Sequence, residues 1–145
     1  MTLGGGYADR YGRCGGKTAS EKFEILRWLF WDNHKLTGYM ATYRYYRTFT
    51  PKPDQNVLAH FRRRLDDFLG ILDQRLSSNP FVVGDSATIA DLSLMAYLSY
   101  PSDETGYDLA VSHRALHAWL GRVAGLPGWC APYDLLPGQR LVHYA

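Results

Sequence analysis

The stretch Phe81-Val82-Val83-Gly84-Asp85-Ser86-Ala87-Thr88-Ile89-Ala90-Asp91-Leu92 reads as a turn that launches a buried helix carrying its own capping signal. The Thr88 hydroxyl is spaced to accept the backbone N–H of Asp91, while the Asp91 carboxylate reaches back to the N–H of Thr88. Two donors left open by a helix start are then satisfied together. Asp stands where Glu is more usual. Behind the cap, Ile89, Leu92, Leu94, Met95, Ala96 and Leu98 make a helix that is apolar on most sides, running to about Tyr100 and expected at the centre of a bundle. A cap at that depth is shielded from water, so removing Asp91 is expected to strand donors at a cost of about 1 to 3 kcal/mol. Thr88 and Asp91 are therefore read as a folding cap.

Upstream, Thr18-Ala19-Ser20-Glu21 is a capping box, and apolar residues at Phe23, Leu26 and Phe30, then Tyr39, Tyr43 and Tyr46, keep near-helical spacing to about Thr48. This first helix is expected to bend near Gly38. Roughly 29 residues at 1.5 Å each give it about 43 Å, long enough to protrude or to line an interface. Pro51 and Pro53 break the chain, and Asp54 caps a second helix with Leu58, Phe61, Leu65, Phe68, Leu69, Leu72 and Leu76 on one face. Ser77-Ser78-Asn79-Pro80 ends it. After the Thr88 helix, Pro101 to Asp108 reads as a polar, solvated loop. A fourth helix buries Leu116, Trp119, Leu120 and Val123 and stops at Gly125 and Pro127, and a short helical turn is expected at Tyr133 to Leu136. No segment alternates as a strand does, so the fold class is all-α, a bundle of four main helices with a packed tail over 18–145. Residues 1–17, rich in glycine, read as a flexible leader.

The 145 residues suffice for one domain with a real core, and a formal charge of +2 gives no reason to expect nucleic acid or an anionic membrane as partner. No apolar run reaches the roughly 18 residues of a membrane span, and the start lacks the regions of a signal peptide, so a soluble, cytoplasmic protein is expected. Cys14 and Cys130 stand far apart without a Cys-x-x-Cys or His cluster, which favours free thiols and no metal site.

The Phe81 to Leu94 segment, with Ala118-Trp119-Leu120 and Leu126-Pro127-Gly128-Trp129, closely resembles the C-terminal, all-helical domain of cytosolic glutathione transferases. The resemblance extends over about Thr18 to Pro137. Trp28-Leu29-Phe30-Trp31-Asp32-Asn33-His34-Lys35 looks most like the bacterial enzymes, and in the beta class a His-Lys pair on this helix faces glutathione; His34 and Lys35 match it in type and place. The family's thioredoxin-like domain, which activates the thiol, has no counterpart here. Tyr7 to Arg13 looks like the last turn of that domain's final helix. The resemblance implies that the chain supplies the hydrophobic electrophile site and the dimer surface of an enzyme that conjugates glutathione, and is inactive alone. Glutathione is then a co-substrate of the complete enzyme, with no cofactor bound by this chain. The partners implied are a second copy, a thioredoxin-like domain in trans and a small hydrophobic electrophile. The alternative is a non-catalytic protein-interaction module of the same fold.

For the electrophile pocket, Trp31, Tyr39 and Tyr43 form a potential aromatic wall: 39 and 43 share a helix face, and 31 lies about two turns earlier. Packing within a helix face is the competing reading for such a stripe. His60, Arg62, Arg63 and Arg64 form a basic cluster that Asp66 and Asp67 partly neutralise from four residues on, consistent with a solvated or subunit-facing surface. Asp103, Glu104 and Asp108 read as an acidic solvated loop without calcium-site spacing.

Overall fold

A computed structural model describes residues 13–135, 138 and 141–144. Much of the leader, residues 1–12, lies outside them. Thr18 starts the first helix with extended backbone, accepting the Glu21 N–H at 3.1 Å while the Glu21 carboxylate takes the Thr18 N–H at 3.3 Å. The helix then runs without a break through α1 (Ala19–Trp31), a π-helical turn (Asp32–Leu36) and α2 (Thr37–Phe49). The irregularity thus falls just before Gly38, at a turn with one residue too many for an α-helical register. α1 buries Ile25 and Trp28. The stripe at Phe23, Leu26 and Phe30 lies on the outer side, with Phe23 73% and Phe30 69% exposed.

Asp54 caps α3 (Gln55–Ser77) by accepting the Asn56 and Val57 N–H groups. Its inward face is Leu65, Phe68, Leu69, Leu72 and Leu76, as the spacing predicts. The chain then turns through Gly84, whose φ of +66° suits glycine, and enters α4 (Ile89–Leu98). Short helices α5 (Ser102–Thr105) and α6 (Leu109–Ser112) lead to α7 (Arg114–Ala124) and α8 (Pro132–Leu135). No described residue is in a strand. α3 packs on α2 and α7, and α4 is held among α1, α2 and α7.

The Thr88–Asp91 cap is buried, and Asp91 does more than close it. Its carboxylate accepts the Thr88 N–H at 2.8 Å, the Thr88 hydroxyl at 2.9 Å, the Val82 N–H at 3.0 Å and the Trp119 indole N–H at 2.9 Å. One buried charge thereby ties the turn, the start of α4 and the middle of α7 together.

The segment Pro101 to Asp108 is not a solvated loop. Its Ser102–Thr105 stretch folds as α5, and Glu104 is fully buried. Arg44 donates Nε to the Glu104 carboxylate at 2.7 Å and also approaches it with its terminal nitrogen, and the Tyr133 hydroxyl lies 2.7 Å and 2.8 Å from its two oxygens. The Arg44 guanidinium also stacks 3.6 Å from the Tyr100 ring centroid. The charge is buried because its partners come from α2 and α8, which local spacing does not reveal. Asp103 and Asp108 remain exposed, as expected. Tyr144 donates its backbone N–H to the Thr48 carbonyl at 2.8 Å, so the C-terminal stretch is bound to the end of α2.

Two predictions follow from these buried groups. Asp91→Ala should destabilise the protein by about 3 kcal/mol, because several donors lose a charged acceptor at once, whereas Trp119→Phe should cost about 1.5 kcal/mol. Urea melts of both variants check the order; equal losses would contradict it. Tyr107, buried and donating to Asp66 at 2.8 Å, has its hydroxyl pKa pushed up first by that burial and then by the Asp66 bond. The folded state therefore holds a proton that the unfolded chain loses near pH 10. Stability from this group is complete below about pH 10 and falls as pH rises beyond it. Comparing melts of wild type and Tyr107→Phe across pH 9 to 11 should show a shallower alkaline loss in the variant.

Candidate functional site

The Asp32–Leu36 stretch forms a π-helical turn in the first helix. The Thr37 N–H bonds back to the Asp32 carbonyl, a five-residue step that inserts one residue into the helix. Asp32 and Leu36 turn inward, His34 is exposed and Lys35 is half-buried. Among the described residues neither the His34 nor the Lys35 side chain has a hydrogen bond or an ion pair within the chain, so both are open to a ligand or to solvent.

The aromatic residues expected to form a pocket wall are divided. Trp31 packs edge-on to Trp28 at 5.3 Å and to Phe68 at 6.0 Å between ring centroids. Tyr39 meets Phe61 at 5.5 Å and Phe68 at 5.3 Å. Trp31 and Tyr39 are thus brought together around Phe68, in the seam between the long first helix and α3, with Lys35 midway between them in sequence and the Arg64 guanidinium 5.3 Å from the Phe68 ring. Tyr43 is not part of this group; it is buried and packs edge-on to Tyr107 at 6.4 Å. Arg62 leaves the basic surface too: its guanidinium stacks 3.7 Å from the Tyr107 centroid, donates to the Gly106 carbonyl at 2.7 Å and pairs with Asp66 at 3.2 Å.

An open depression of about 320 Å³ lies between the first helix and α4, lined by Leu29, Asp32, Asn33, Thr37, Ser93, Ala96 and Tyr97. None of Trp31, Tyr39 and Tyr43 lines it. At its floor the Asp32 carboxylate, 2% exposed, accepts the Thr37 hydroxyl at 2.7 Å on one oxygen and the Ser93 hydroxyl at 2.5 Å on the other. Among the described residues no cation pairs with it. Sequence reasoning missed this group; the available signal was a carboxylate set in the apolar run Trp28-Leu29-Phe30-Trp31, where a charge is unusual. A second depression of about 240 Å³ is bordered by Leu98, Tyr100, Tyr107, Leu109, His117 and Leu120. Cys14 is half-buried and Cys130 exposed, both as free thiols. No cluster of three His, Cys, Asp or Glu among the described residues is arranged to hold a metal ion. Among the same residues no helix is long and apolar enough to cross a membrane.

Comparisons with known proteins agree with this architecture. Glutathione S-transferase F11 of Arabidopsis thaliana is 27% identical over 128 residues, covering 85% of this chain and 60% of that protein. The disulfide-bond oxidoreductase YghU of Escherichia coli K12 is 22% identical over 125 residues, covering 83% of this chain and 43% of that protein. A glutathione S-transferase crystal structure from Xanthobacter autotrophicus Py2 superposes with a TM-score of 0.71 at 29% identity, covering 86% of this chain and 62% of that one. The chain spans 43 to 62% of the length of these relatives. The family model for the glutathione S-transferase C-terminal domain matches residues 35–129, and with the all-helical bundle this shows that the chain belongs to the glutathione S-transferase C-terminal domain family.

Proposed function

We propose that this chain acts as the electrophile-side half of a glutathione transferase, carrying the hydrophobic substrate surface and a dimer surface, and that it does not conjugate glutathione alone. The observation that carries this reading is the unpaired His34–Lys35 pair, displayed by the π-helical turn in a chain of this family. Lys35 offers a mobile cation to a carboxylate of glutathione and His34 a donor to its backbone. Trp31 and Tyr39 present the half-buried aromatic surface on which an apolar electrophile would rest. Thiol activation needs a group that lowers the thiol pKa toward neutrality, together with backbone donors for the tripeptide. In this reading a thioredoxin-like partner domain supplies both.

The second reading, a non-catalytic interaction module, is favoured by one specific observation. Phe23, Leu26 and Phe30 stand on one side of α1 with much of their surface in water. It shares with the first reading the need for a protein partner and differs in lacking any affinity for glutathione.

Calorimetric titration with reduced glutathione, beside a conjugation assay with 1-chloro-2,4-dinitrobenzene, separates them. The first reading predicts weak saturable binding that Lys35→Ala reduces, with no conjugation. Because neither side chain has a partner within the fold, His34→Ala and Lys35→Ala should leave thermal stability within about 0.5 kcal/mol of the parent. Turnover by the pure chain would overturn the division of labour. Absence of glutathione binding would favour the interaction module.

A further inference from the structure

We propose that the stretch 141–144 is a strap whose closure is set by the proton on His143: the imidazolium holds it against α2 and α5, and the neutral imidazole lets it go. The inference stands apart from glutathione and from the depression between α1 and α4.

Both ring nitrogens of His143 face acceptors. Nδ1 lies 3.8 Å from an Asp103 carboxylate oxygen, and Nε2 lies 3.5 Å from a Glu104 oxygen. These are ion-pair separations, longer than a good hydrogen bond. An ionised carboxylate only accepts, and a neutral imidazole carries one N–H. The neutral ring must therefore turn a lone pair toward one of the two acids, whereas the imidazolium directs an N–H at each. Among the described residues no other cation is bonded to the oxygens it faces. Arg44 gives both of its bonds to the second Glu104 oxygen, and Arg47 donates to the Asp103 backbone carbonyl, leaving that carboxylate aside. Tyr133 brings a neutral hydroxyl to Glu104. The charged and titratable groups around His143 are thus Arg44 and Arg47 from α2, Asp103 and Glu104 from α5 and Tyr133 from α8. The two carboxylates, not the guanidiniums, stand against its ring nitrogens.

Little else holds the strap. Leu141 is 63%, Val142 68% and Tyr144 56% exposed, so its apolar side chains bury little surface. His143, 28% exposed, is the side chain of this stretch most withdrawn from water, and its ring packs edge-on to Phe49 at 5.4 Å between centroids. The Tyr144 N–H adds one backbone bond, at 2.8 Å, to the Thr48 carbonyl, one of the last in α2, which the helix itself leaves without a partner. A contact made of one backbone bond and one ring is balanced finely enough for a single charge to decide it. Histidine gains and loses that charge between about pH 5 and 8.

The test follows the Leu141 and Val142 methyl groups of the full chain by carbon-13 relaxation at about pH 5.5 and about pH 8, with the buried Leu72 methyls as internal reference. The released fraction of the strap should rise about threefold or more at the higher pH, where an ordinary imidazole is largely neutral. The contact between the Phe49 and His143 ring protons should be lost with it, while Leu72 does not change. His143→Gln, which keeps a hydrogen-bonding side chain and removes the charge, should leave the strap mobile at both pH values. Asp103→Asn alters an exposed side chain, so it should fold as the parent does and release more of the strap at about pH 5.5. A strap equally restrained or equally mobile at the two pH values in the parent would overturn the proposal. So would a pH response that survives His143→Gln, or a strap that this variant holds rigid.

Discussion

Asp91 is the point on which the bundle turns. It sits at the third position of α4, where the helix dipole favours an anion, and gathers donors from the preceding turn, from the cap and from α7. No cation offsets it among the described residues, so its burial is sustained by the hydrogen bonds its carboxylate accepts. The turn is tied from its other side as well: the Val82 carbonyl accepts two bonds from the Arg75 guanidinium at 3.0 Å and 2.9 Å, linking it to the end of α3. With α4 fixed in this way, Ser93, Ala96 and Tyr97 are held as one wall of the groove opposite Asp32.

Among the described residues three carboxylates are buried, and each is satisfied differently. Asp91 is satisfied by backbone, hydroxyl and indole donors and organises the core. Glu104 is satisfied by Arg44 and Tyr133 and anchors α8 to α2. Asp32 receives two hydroxyls and keeps acceptor capacity at the floor of an open groove. The same residue type is thus held in the interior by different sets of neighbours.

Features whose causes are local were legible in the sequence. The Thr18 and Thr88 caps, the Asp54 cap, the α3 stripe and the buried Leu116, Trp119 and Val123 of α7 all follow from spacings of two to four residues. Features whose causes are distant were not. Glu104 reads as a loop acid because its counter-charge, Arg44, is 60 residues away. Tyr43 reads as the neighbour of Tyr39, yet packs on Tyr107 from a different part of the chain. The π-helical turn has no residue signature, although Asp32 lies four residues beyond the buried Trp28 and so faces inward by ordinary helical spacing. The Asp32 carboxylate is also bonded by Ser93, from a helix that spacing does not pair with it. The family was legible because its marker is the local cap; the groove was not, because its floor and walls come from two separate helices.

The Asp91 contacts should therefore belong to the last part of the structure to open. Native-state hydrogen exchange, read at the Val82 and Thr88 amides and the Trp119 indole N–H, tests it most directly. These three protons should exchange only through global unfolding, with an opening free energy that matches the urea-derived stability and falls in parallel as denaturant is added. Exchange of any of them through a local opening, several kcal/mol easier than global unfolding and insensitive to denaturant, would contradict it.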